Sequence, residues 1–89
     1  MTMASIIAQM KMEELIGLDD DELTAEVTRT AAKLSVDDDN HAFYYRITNG
    51  SSTGFPNLRE MIVIVYEGNT DNVLQEFTNI INTAPNGGV

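Results

Sequence analysis

The run Met61-Ile62-Val63-Ile64-Val65-Tyr66 limits this 89-residue chain more than any other stretch. It is far shorter than the roughly 20 apolar residues that span a bilayer, so it reads as a strand within a fold. Alternation then places Met61, Val63 and Val65 on one face and Ile62, Ile64 and Tyr66 on the other. Both faces need cover, which a small chain has few elements to supply.

The neighbouring segments read as follows. Residues 42–48 (AFYYRIT) form a strand with Phe43, Tyr45 and Ile47 on one face and Tyr44, Arg46 and Thr48 on the other. Residues 49–57 (NGSSTGFPN) are dense in turn formers and predict a mobile hairpin loop into a second strand, residues 59–67, which Gly68-Asn69 ends. Upstream, Met3, Ile6, Ile7 and Met10 recur at helical spacing, so residues 3–16 predict a first helix stopped by Gly17. Asp19 with Glu22 matches a capping box, flanked by Leu18 and Leu23 as a hydrophobic staple. A second helix over residues 20–34 follows, burying Leu23, Val27, Ala31 and Leu34. Val73, Leu74, Phe77, Ile80 and Ile81 trace the stripe of a third helix over residues 70–82, with residues 85–89 as a flexible tail.

The predicted architecture is a single α+β domain, residues 1–89, of order α-α-β-β-α with two antiparallel strands. A two-stranded sheet is marginal alone and its edges invite pairing. A chain of this size without cysteine has no disulfide to reinforce it. A homodimer is therefore expected, extending the sheet to four strands or packing hairpins face to face through Ile62, Ile64 and Tyr66.

Charge is distributed unevenly. Residues 1–40 carry ten acids against Lys11, Arg29 and Lys33, a net of minus seven within a total of minus nine. The acids are Glu13, Glu14, Asp19, Asp20, Asp21, Glu22, Glu26, Asp37, Asp38 and Asp39. Helix design accounts for part of Asp19 to Glu22, since carboxylates at a helix N-terminus gain roughly 0.3–1 kcal/mol each. Asp37 to Asp39 follow the predicted end of the second helix, where the dipole disfavours them, and read either as a solvated loop or as a recognition element.

No motif names a reaction, and an enzyme is not expected. His41 stands beside Asp39 with no nucleophile placed near it. EF-hand registers starting at Asp37 or Asp19 fail at the glycine and glutamate positions, so no metal or other cofactor is called for. No phosphate-binding glycine loop is present. The charge opposes direct nucleic-acid binding, and the start MTMASIIAQMKM lacks the basic region of a signal peptide, with Met1 and Met3 both open as the natural start. A soluble cytoplasmic protein that does not engage a membrane is expected.

A second helix with aspartate runs at both ends would be a rigid rod about 20 Å long. Carboxylates three or four residues apart lie about 5–6 Å apart at Cβ, close to the phosphate spacing along a DNA strand. In size and charge the chain resembles the small acidic DNA-mimic inhibitors of phages and mobile elements. The resemblance rests on residues 13–39 and on no family motif. It implies inhibition of a basic host DNA-binding protein, such as an HU-type nucleoid protein, a nuclease or RNA polymerase. The ten acids would carry recognition in the host cytoplasm, with Tyr44 or Phe55 adding apolar contacts. The competing reading is a homo-oligomeric structural or adaptor protein that assembles through the apolar hairpin.

Overall fold

The structure, a computed structural model, describes residues 2–37 and 40–83, with only the backbone described at Asp37, Asn40 and His41. Two helices, α1 (Met3–Leu15) and α2 (Asp20–Arg29), precede four strands, β1 (Leu34–Asp37), β2 (Asn40–Asn49), β3 (Leu58–Glu67) and β4 (Val73–Asn82). The strands form one sheet in the order β1-β2-β3-β4, every neighbouring pair antiparallel. The fold is α+β, in the order α-α-β-β-β-β.

The local rules behind the helices are plain. Thr2 caps α1, its side chain accepting the Ser5 N–H at 3.1 Å. Gly17 reverses the chain at a φ of +96°, a conformation costly for any residue with a Cβ. In α2 the Asp19 carboxylate accepts the Glu22 N–H at 2.8 Å, and the Glu22 carboxylate accepts the Asp19 N–H at 3.1 Å.

Both helices lie on one face of the sheet, α1 across β3 and β4 and α2 against β2. Ala4 and Ala8 let α1 approach closely, and Met12, Leu15 and Leu23 pack with Ile47, Met61, Val63 and Val65 into the core. Each large apolar side chain buried this way stabilises the fold by about 1.5–3 kcal/mol.

Three expectations are overturned. Residues 70–82 are not a third helix; they turn at Thr70–Asn72 and enter β4. The stripe Val73, Leu74, Phe77, Ile80, Ile81 imitates helical spacing because the register shifts where Val65 opposes Gln75 but Tyr66 opposes Val73. The extra residue, Leu74, moves an apolar side chain out of alternation. Backbone satisfaction decides the outcome, since β3 at the sheet's centre needs hydrogen-bond partners on both edges and β4 supplies the second.

The second helix does not reach residue 34. It ends at Arg29, Ala31 is exposed, and Leu34 and Val36 instead pack against the core from β1. Finally, the four-stranded sheet comes from one chain rather than from a hairpin doubled in a homodimer. The expected tail, residues 85–89, lies outside the described residues.

The end of α2 is tied into the sheet by one hydroxyl. Beyond the last β1 pairing, Leu34 with Tyr45, the Ile47 N–H and C=O point at an edge that no described strand occupies. Thr30, fully buried, accepts the Ile47 N–H at 2.9 Å, and its hydroxyl lies 3.2 Å from the Ile47 C=O and 2.8 Å from the Glu26 C=O.

Candidate functional site

Two surfaces stand out, the acidic helix pair and the sheet face that the helices leave open. On the first, α1 brings Glu13 and Glu14 to its last turn, and the Gly17 turn folds α2 back beside them. Glu14, Glu22 and Glu26, with Leu18 and Ala25, line a shallow groove between the helices.

Most of these carboxylates also have work within the fold. Asp19 and Glu22 form the capping box. Asp20 accepts from Arg59 at 3.0 Å, and the same guanidinium donates to the Asp20 carbonyl, Thr24 Oγ1 and Asn49 Oδ1, binding the start of α2 to β2 and β3. Glu26 takes a bidentate pair from Arg29 at 2.7 and 2.9 Å, and Arg29 also donates to the Tyr45 hydroxyl at 3.0 Å. The hydrogen bond from Arg29 holds the Glu26 carboxyl below its ordinary range, against a smaller opposing effect of burial. Glu14 lies 3.5 Å from Lys11, whose ammonium also sits over the Tyr45 ring at 4.6 Å. Glu13 and Asp21 are exposed and form no ion pair with described residues.

Of the predicted acids, Glu14, Glu22 and Glu26 line one groove, Asp20 turns to Arg59, and Glu13, Asp19 and Asp21 lie on the same two helices or their caps. Asp37 is set apart from them: it closes β1, its backbone opposite Asn40, and does not follow a helix. Asp38 and Asp39 lie outside the described residues. The rod flanked by two acidic runs is corrected as well, because α2 has ten residues and is about 15 Å long. Of the two proposed apolar helpers, Phe55 is exposed in the loop whose base, Asn49 and Arg59, is tied to Asp20. Tyr44 faces the other way, onto the open sheet face.

That open face carries Tyr44, Arg46 and Thr48 from β2 and Ile62, Ile64 and Tyr66 from β3, all on the side opposite the core residues. Ile62 and Ile64 are half-buried. Tyr66 is 7% exposed, lying beneath Lys33, whose ammonium is 4.6 Å from the ring centre. Lys33 donates onward to the Thr70 carbonyl and to Asp71 at 2.9 Å, which lowers the Asp71 carboxyl from its ordinary value. The strap from Lys33, like the clamp from Arg59, had no signal in the sequence, since both join residues more than thirty positions apart.

A carboxylate has about four acceptor sites, so one already held within the fold retains capacity for an incoming donor. A groove lined by carboxylates beside apolar side chains suits the charged head and aliphatic stem of a lysine or arginine. Among the described residues no cluster of three or more histidine, aspartate or glutamate side chains is arranged to hold a metal ion, and no helix is long and apolar enough to cross a membrane. Comparison with protein-family models, with characterised proteins and with solved structures finds no match to the chain.

Proposed function

We propose that the chain is a non-catalytic binding protein whose acidic helix pair occupies the phosphate-binding surface of a basic DNA-binding protein and thereby inhibits it. The observation that carries this reading is the groove between α1 and α2 lined by Glu14, Glu22 and Glu26 together with Leu18 and Ala25. Exposed Glu13 and Asp21, next in sequence to Glu14 and Glu22, add to the negative surface. The capping box and the Arg59 clamp hold this array on a fixed frame, so recognition incurs little ordering cost.

The test is direct competition. The full chain is titrated into an HU-type nucleoid protein bound to fluorescent duplex DNA, with anisotropy as the readout at low and high salt. Displacement at low salt that fades at high salt is expected, as is at least a tenfold loss of competition in a Glu13→Lys, Asp21→Lys variant. Neither side chain has a partner within the described fold, so the cost to stability is confined to the helix-dipole share of Asp21, roughly 0.3–1 kcal/mol, and circular dichroism checks that the variant is folded. If DNA stays bound at every concentration, and a nuclease and RNA polymerase assayed alike also keep theirs, the reading fails.

A further inference from the structure

The open sheet face has a charge pattern that fits a copy of itself. In register, Arg46 on β2 opposes Ile64 on β3, and Ile64 opposes Glu76 on β4. The next row is Thr48, Ile62 and Thr78. Each row is thus a β3 isoleucine with one residue on either side, a cation facing an anion in the first and two threonines in the second.

Arg46 and Glu76 do not satisfy each other within one chain. They are two strand spacings apart, roughly 9–10 Å, with Ile64 between them. The chain has five basic residues, and Lys11, Arg29, Lys33 and Arg59 each pair with an acid. Arg46 alone forms no ion pair among the described residues, and it is exposed.

We infer that two copies of the chain pack open face to open face about a two-fold axis running along β3. That rotation exchanges left and right across β3 and leaves position along the strand unchanged. It sets Arg46 over the partner's Glu76 and Glu76 over the partner's Arg46, with Ile62 and Ile64 meeting their own counterparts between the two pairs. Aligned sheets pack about 10 Å apart with strands rotated by about 30°. A residue one strand spacing from the axis then shifts by only about 2.5 Å, within the reach of an arginine side chain.

The area sets the strength. Strands β2, β3 and β4 have ten residues each but are staggered, abreast only from Met61 to about the end of β3, so the two copies share roughly 380 Å² a side, a total burial of about 750 Å². That is small for a specific interface, so a weak, concentration-dependent dimer is expected. Both helical layers, with their acids, end up on the outside of the dimer, away from one another. The inference does not depend on the proposed DNA mimicry.

The experiment is sedimentation velocity on the full chain from about 1 to 200 μM, with circular dichroism as the check on folding. Wild type should pass from monomer to dimer across this range. Arg46→Glu, which sets like charges against each other twice, should weaken dimerisation at least tenfold. The charge swap Arg46→Glu with Glu76→Arg should restore it. A wild type that stays monomeric, an Arg46→Glu variant that dimerises normally, or a folded swap variant that stays monomeric would each overturn the inference.

Discussion

Thr30 shows how much one small polar side chain holds. Its hydroxyl oxygen accepts the Ile47 N–H at 2.9 Å, and its one proton is shared between the Glu26 carbonyl at 2.8 Å and the Ile47 carbonyl at 3.2 Å, so the end of helix α2 stands in for a missing residue of β1. A threonine-to-valine change keeps the shape and deletes the bonds, leaving the Ile47 N–H unpaired. Such an unpaired group costs about 1–3 kcal/mol. Thr30→Val is expected to lower stability by at least about 1 kcal/mol, a fall in melting temperature of roughly 4–8 °C for a domain of this size. Thr30→Ser should recover most of the loss. Urea unfolding of the two variants separates the hydroxyl from the packing, and equal midpoints would show that the Ile47 bonds contribute nothing. This tie could not be seen in the sequence, where Thr30 sits within an unbroken helical pattern and Ile47 is seventeen residues away.

At the scale of elements, sequence reasoning succeeded where the signal was local. The capping box at Asp19 and Glu22, the stop at Gly17 and the alternation of Met61 to Tyr66 depend on near neighbours, and each appears where it was expected. It failed at β1 and β4, where the deciding partner is distant. Residues 34–37 become a strand because β2 offers an edge, and residues 73–82 because β3 offers another. For the acidic site, the residues were legible but their second roles were not, because the Asp20–Arg59 pair spans the fold. The strand assignment of β4 has a sharp test. The Thr83 N–H donates to the Asn57 carbonyl at 2.8 Å, so from Gln75 onward, past the bulge, odd-numbered residues of β4 direct their N–H groups at β3 and even-numbered ones direct theirs outward. Proline lacks that N–H, yet is tolerated where an edge strand's N–H faces solvent. Thr78→Pro is therefore expected to fold with a modest loss of stability, and Asn79→Pro to unfold the chain or come close to it. A helix would be broken by either, so equal damage in thermal melts would sink the ladder.

For the whole molecule, charge acts on stability and on recognition with opposite sign. Four described ion pairs occupy four of the five bases, and exposed pairs of this kind are worth about 0–1 kcal/mol each. The remaining excess of minus nine, concentrated in the first forty residues, repels itself in the folded state. Raising ionic strength from about 0.01 to 0.15 M shortens the screening length from roughly 30 to 8 Å. That relieves repulsion between separate acidic groups more than it weakens pairs in contact, so the melting temperature should rise over this range. Binding to a basic partner should fall over the same range, because the attraction it draws on is long-ranged and releases counterions. Melting followed by light scattering or fluorescence, and anisotropy competition against duplex DNA, measure the two trends in identical buffers. A melting temperature that falls with salt would mean that the contact pairs outweigh the repulsion among the surplus acids. Competition that ignores salt would mean that any partner reads the apolar surfaces rather than the carboxylates of α1 and α2.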